Sequence, residues 1–87
     1  MNIIRHKEFV KQTTRLSRSL NEKIYERLHL LEQDEQNQLL NNHKLKAPFQ
    51  EYRSINITGD YRLVYRRVDA HTIYLRTIGT HHQLYGS

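Results

Sequence analysis

The rhythm of apolar and polar positions divides the chain into a helical first half and an extended second half. Ile3 and Ile4 after Asn2 predict a brief first strand. From about His6 to Asp34 the spacing turns helical: Phe9, Val10, Thr13 and Leu16 recur every three or four residues. After an interruption at Ser17-Arg18-Ser19, Leu20, Ile24, Leu28 and Leu31 resume the same spacing. Ser19, with Glu22 three residues on, reads as a capping box that starts the second helix. Lysines and arginines occupy the opposite faces, so the segment predicts a hairpin of two amphipathic helices whose apolar stripes need a sheet to cover.

The second half follows a different rule. Gln33 to Gln38 is a polar, acidic connector, Leu39 and Leu40 are expected to return to the core, and Pro48 marks a break before the sheet. Ile55 and Ile57 alternate with Ser54 and Asn56, which predicts a half-buried strand, and Gly59-Asp60 predicts a tight hairpin turn. In the next strand Leu63 and Tyr65 share one face, while Arg62, Val64 and Arg66 share the other. Asp69-Ala70 turns into a last strand over about Thr72 to Ile78, stopped by Gly79. Strand, helix, helix and a three-strand meander, in the order β-α-α-β-β-β, predict an α+β fold with the helices on one sheet face and the other face open to a partner.

Size and charge narrow the possible roles. Eighty-seven residues predict one domain, 1–87, with a thin core and no room for a separate cofactor-binding unit. No glycine-rich phosphate loop or dinucleotide fingerprint is present, and no cofactor is expected. The chain has no cysteine, hence neither a disulfide framework nor a thiolate metal site. Its first residues lack the apolar stretch of a signal peptide, and no segment approaches the roughly 20 apolar residues of a membrane span. A soluble, cytoplasmic protein is expected, with no membrane partner. A net charge of +5 points to an acidic partner such as nucleic acid, a ribosome or an acidic protein.

The reactive side chains of the second half suit one chemistry in particular. Metal-free RNA cleavage needs a base for the 2′-hydroxyl proton, cations for the phosphorane, and an acid for the departing 5′-oxygen. Histidine serves either proton role near neutrality, and arginine matches two phosphate oxygens at once. His43 and His81 are the candidate proton carriers, Arg53, Arg62 and Arg76 the candidate cations for the phosphate, and Asp60 a candidate base or orienter of an imidazole. Lys44, Lys46, Arg53, Asn56, Tyr61, Arg76 and Tyr85 are the candidate RNA contacts, the tyrosines by stacking on unpaired bases. Each residue taken singly has a plainer reading. Asp60 after Gly59 is ordinary turn chemistry, Tyr65 and Tyr74 fit sheet packing, and His6, His29 and His71 read as surface residues. His81 and His82 point apart as sequence neighbours and have no matching ligand set, so no metal is assigned to them.

Taken together, the run His-x-Leu from His43, then Tyr-Arg-Ser-Ile-Asn-Ile-Thr-Gly-Asp-Tyr-Arg-Leu-Val-Tyr from Tyr52 to Tyr65, then Ile-Gly-Thr-His-x-x-Leu-Tyr from Ile78 to Tyr85, resembles the RelE/ParE toxin superfamily. Within it the match is to the YafQ-like mRNA interferases, over roughly residues 39 to 86 by motif and over the helical half by pattern. The resemblance implies a small, curved, mostly antiparallel sheet with two helices on one face. It also implies a toxin that cuts translated mRNA in the ribosome without a metal and is silenced by a cognate antitoxin. By the same resemblance, His43 and Asp60 are candidates for activating the 2′-hydroxyl, His81 is the general acid and Tyr85 contacts RNA. Arg62 matches a catalytic arginine of the RelE branch. Asn56 stands where the YafQ-like pattern has another histidine, Tyr61 replaces a tryptophan, and Ala47-Pro48 replaces a glycine. Two other readings stay open on the same fold: a non-enzymatic gyrase inhibitor, and a catalytically inactive module that binds an antitoxin.

Overall fold

A computed structural model describes residues 1–86 of the chain; Ser87 lies outside the described residues. Strand β1 (Asn2–Arg5) leads into helices α1 (Lys7–Thr14) and α2 (Arg18–Gln33). A short 3-10 helix (Gln38–Leu40) and the two-residue strand β2 (His43–Lys44) follow, then β3 (Arg53–Asn56), β4 (Tyr61–Asp69), β5 (Thr72–Thr80) and a terminal helix α3 (His81–Tyr85). The sheet has five strands in the order β1-β5-β4-β3-β2; β1 runs parallel to β5 and every other pair is antiparallel. The expected α+β class and order are observed, with β2, the 3-10 turn and α3 added.

Apolar side chains from α1, α2 and one sheet face meet in a single cluster that includes Phe9, Ile24, Leu28, Leu31, Leu40, Ile55, Leu63, Tyr65, Ile73, Leu75 and Ile78. The apolar stripe of α1 is narrower than its spacing suggests, since Phe9 is buried and Val10 is exposed. Leu40 enters the core, but Leu39 does not and is 61% exposed. The second helix also starts earlier than Ser19. Ser17 is its N-cap and accepts from the Leu20 backbone N–H at 3.1 Å, which leaves Ser19 inside the first turn. The early start has a tertiary reason: it places Asn21 where its side-chain amide donates to the carbonyls of Thr13, at 2.9 Å, and Ser17, at 3.2 Å, tying the end of α1 to α2.

The β4–β5 hairpin carries the sheet. Its register slips by one residue at Arg76: Tyr65 pairs with Leu75, whereas the preceding Val64 pairs with Thr77. This bulge re-phases β5, so Ile73 and Leu75 face the helices, and so does Ile78, three residues beyond Leu75. Strand β1 pairs with β5 only as far as Leu75. Beyond it, Gln12 of α1 serves the exposed edge: its Oε1 accepts the Ile78 backbone N–H at 2.9 Å, and its Nε2 donates to Thr77 Oγ1 at 2.8 Å. A side chain thus does the work of a missing strand.

Strand β5 does not stop at Gly79 but continues to Thr80, which caps α3 in a capping box with Gln83. Gly79 has a steric role instead, because a Cβ there would lie 3.0 Å from Gln83 Oε1 and 3.3 Å from Leu84 Cδ2. A larger residue there would require the Gln83 and Leu84 side chains to give way by a few tenths of an ångström.

A polar cluster closes the helix side of the sheet near the connector. The Tyr65 hydroxyl accepts from Asn42 Nδ2 at 2.7 Å and donates to Glu35 Oε2 at 3.2 Å, and Arg67 donates to the same carboxylate at 2.9 Å. Hydrogen bonding from Arg67 holds the Glu35 carboxyl below its ordinary range, against the opposing effect of burial. Burial raises the Tyr65 phenol.

Two outcomes are expected. Tyr65→Phe should cost about 1 to 2 kcal/mol in a denaturant titration, because it removes two hydrogen bonds, one from Asn42 and one to Glu35; an unchanged midpoint would show that the hydroxyl adds no stability. A depressed Glu35 pKa stabilises the fold above the unfolded carboxyl value of about 4.5, and that stability is lost as pH falls through the lower folded value. Glu35→Gln should therefore lower the midpoint modestly near neutrality, with a gap from wild type that closes in acid. A gap that persists in acid would point to packing rather than charge.

Candidate active site at the end of the β4–β5 hairpin

The start of α3 and the β3–β4 turn are joined by backbone. The His81 N–H donates to the Asp60 carbonyl at 3.3 Å, next to the Tyr61–Thr80 pair that ends the ladder. The Thr80 cap sets the direction of α3, so residues four apart on it, His81 and Tyr85, stack edge to face with ring centroids 4.8 Å apart. The Tyr85 hydroxyl is buried and makes no hydrogen bond among the described residues. His81 and Asp60 themselves are exposed.

The sheet face opposite the helices carries two rows of side chains, set by strand register and the two-residue alternation. One row is His43, Ser54, Val64 and Thr77; the other is Asn56, Arg62 and Gly79. His43 is therefore one row away from Asn56, about 7 Å along the strand direction. Arg62 Nη1 donates to the carbonyls of Thr58 (3.1 Å), Gly59 (3.1 Å) and Tyr61 (3.2 Å), which fastens the turn that carries Asp60. Asn56 Oδ1 is buried and makes no hydrogen bond among the described residues.

The sequence pattern predicts that this face is open to a partner, and it is not. Ser54 and Val64 are 0% exposed although both point away from the main core. The loop from Leu45 to Tyr52 and helix α3 roof them. Leu45 N–H bonds to Tyr52 O (3.1 Å), Phe49 N–H to Lys46 O (2.9 Å) and Tyr52 N–H to Phe49 O (2.8 Å), so the loop closes on itself. Arg66 lies over the rings of Tyr52 and Tyr74, at 5.8 and 5.6 Å from their centroids. Between loop and α3 is a cavity of about 310 Å³ lined by residues that include Lys46, Phe49, Leu84 and Tyr85. On the far side of Phe49 a larger cleft of about 490 Å³ runs between α1, β5 and α3.

The candidate residues thus divide. Asp60, His81 and Tyr85 adjoin one another, and Asn56 and Arg62 share a row, with His43 in the next row toward the sheet edge. Lys44 and Lys46 are exposed beside them. Arg53 is set apart: it pairs with Tyr65 on the helix side, and its Nε donates to Asn42 Oδ1 at 2.6 Å. Tyr61 is half-buried against the core cluster. Arg76, thrown out by the bulge, forms an ion pair with Glu8 of α1 at 2.8 Å. His6 is more than a surface residue, since its Nδ1 caps α1 by accepting the Glu8 N–H at 3.0 Å. The Thr-x-x-Gln capping signature at Thr80 to Gln83, unused in reading the sequence, would have located α3. Among the described residues no three His, Asp or Glu side chains converge as a metal-ligand set. No helix among them is long and apolar enough to cross a membrane.

Known proteins share this architecture. The E. coli YafQ structure superposes with a TM-score of 0.76 at 20% identity, covering 98% of each chain. A YoeB/ParE toxin from Agrobacterium tumefaciens reaches 0.78 at 20% identity, over 93% of this chain and 99% of its own. YafQ in the E. coli DinJ–YafQ complex gives 0.72 at 21% identity, over 98% of both. No curated protein sequence matches the chain. The family model for YafQ, a bacterial toxin of type II toxin–antitoxin systems, matches residues 1–86. Essentially the whole described chain answers to that model, and the protein belongs to the YafQ toxin family.

Proposed function

We propose that this toxin is a ribosome-dependent mRNA endoribonuclease that needs no metal, acting in the cytoplasm as a single domain. The observation that carries the reading is the junction of Asp60 and His81 through a backbone hydrogen bond, with the Tyr85 ring against the imidazole and Arg62 fastening the same turn. An acid, a base candidate, a cation and an aromatic surface meet there at the rim of a basic domain. The 2′-oxygen attacks the adjacent phosphorus, its proton passing to His43 or Asp60. His81 protonates the 5′-oxygen as the P–O bond breaks, leaving a 2′,3′-cyclic phosphate and a 5′-hydroxyl. Arg62, Lys44 and Lys46 offset phosphate charge, while Asn56 and Tyr85 offer contacts to the nucleotide. The rim is exposed rather than enclosed, so the ribosome supplies the confinement that an active site of this size lacks.

The proposed regulator is a cognate antitoxin. Relatives of this fold have been solved as the DinJ–YafQ complex from E. coli and the YoeB–YefM complex from Staphylococcus aureus. A net charge of +5 favours an antitoxin with an acidic segment laid over the basic rim.

Cleavage of a defined mRNA on programmed ribosomes tests the reading. Wild type should cut, leave cyclic phosphate ends, and fail on mRNA with a 2′-deoxy nucleotide at the cut site. Cleavage of the deoxy substrate would exclude 2′-hydroxyl attack. His81→Ala should slow cleavage about 10²- to 10⁴-fold with the fold intact, the usual contribution of a positioned acid. Full activity in that variant would remove His81 from the chemistry. Arg62→Ala should weaken substrate binding and flatten its dependence on log salt by about one unit. Because Arg62 also holds three turn carbonyls, a lowered melting temperature with an unchanged salt slope would instead assign it to folding.

A further inference from the structure

Resting on the nuclease reading above, we propose that the Asn41 carbonyl fixes the Nδ1–H tautomer of His43, leaving its Nε2 lone pair for the rim, and that Arg53 is a positioning residue that braces this segment through Asn42. The inference begins with one contact. His43 Nδ1 lies 2.8 Å from the backbone carbonyl of Asn41. A carbonyl only accepts, so Nδ1 must carry the hydrogen. In the neutral ring the lone pair then belongs to Nε2, the nitrogen turned away from the backbone.

The carbonyl is aimed by its backbone. Asn41 ends the 3-10 helix in the left-handed region, with φ at 45°, and is the sole residue other than glycine with positive φ among the described residues. Asparagine tolerates that conformation better than most residues, and such strain persists only where neighbours hold it. The neighbour here is Asn42, whose side chain is used three times. Its amide donates to Tyr65 Oη at 2.7 Å and to the Glu35 carbonyl at 3.3 Å, and its oxygen accepts from Arg53 Nε at 2.6 Å. These partners come from the connector, β3 and β4, so the segment before His43 is braced from three directions. The pairing of His43 with Ser54 then presents the ring on the sheet face that carries Asn56 and Arg62.

Arg53 accordingly acts through Asn42 and is a positioning residue rather than an RNA contact. On the His43 branch of the reaction proposed above, the proton on the 2′-oxygen moves to Nε2 while that oxygen bonds to phosphorus. The imidazolium so formed keeps its Nδ1–H on the Asn41 carbonyl, and the proton delivered to the 5′-oxygen comes from His81, so protons and electron pairs balance.

The tautomer can be read without activity. In protein labelled with ¹⁵N-histidine, long-range proton–nitrogen correlations above the titration range should show His43 protonated on Nδ1, the signal being assigned by its absence in His43→Gln. Protonation on Nε2 would overturn the proposal. Arg53→Gln, folded by circular dichroism, should show a mixed His43 tautomer and lose about tenfold or more in kcat on ribosomes, with KM and salt slope nearly unchanged. A raised KM with a flatter salt slope and an intact tautomer would return Arg53 to RNA binding and overturn its positioning role. An Nδ1–H tautomer in a protein that cuts no mRNA would sink the nuclease reading, and with it the base role of His43, while leaving the Asn41 contact standing.

Discussion

The single-residue slip of β5 at Arg76 is the constraint on which most of this molecule depends. Strand side chains alternate strictly, so a run that buries Ile73 and Leu75 would bury Thr77 and Gly79 next, and turn Ile78 to the other side. The bulge moves one residue out of phase. Ile78 then completes the core, Gly79 faces Arg62, and α3 can descend onto a surface without a Cβ. The displaced residue is used as well: Arg76 swings out to Glu8 and ties α1 to the strand it edges. Without the slip, the helix that carries His81 and Tyr85 would start from the wrong face.

Stability and site construction share the same material. A domain this small has little core to spare, and it extends burial to both sheet faces. The helices cover one side; the loop from Leu45 to Tyr52 and α3 cover the other, which accounts for the complete burial of Val64 and Ser54. The roof also defines the site, because the candidate residues lie where it ends. Side chains substitute for missing backbone partners elsewhere: Gln12 at the β5 edge, Asn21 at the end of α1, Arg62 at the β3–β4 turn. Each replaces a partner that a larger protein would draw from another strand or helix.

Polar residues near the rim show two different states. The cluster of Glu35, Asn42, Arg53, Tyr65 and Arg67 is satisfied throughout, as a bracing element requires. Asn56 Oδ1 and the Tyr85 hydroxyl, by contrast, are buried with no hydrogen bond among the described residues. Unsatisfied polar atoms are uncommon in a native fold and cost stability. Ser54 Oγ and Arg66 Nε share that state, so such atoms occur along the covered sheet face and not at the candidate RNA contacts alone.

The sequence by itself determined the class of the fold, the order of its main elements and the family, because those rest on local periodicity and on motif spacing carried within single segments. Ile55 and Ile57 alternating with polar neighbours, or Leu20 to Leu31 at helical spacing, need no distant partner to be read. Tertiary structure decided the rest. Ser17 rather than Ser19 caps α2 because Asn21 must reach the end of α1. The second sheet face is closed because a loop with no periodicity of its own folds across it. Arg53 and Arg62 look alike in the sequence, yet register sends one to the Asn42 cluster and the other to the rim. The face of a strand residue depends on pairing and on bulges, which arise between segments and leave no periodic trace within one.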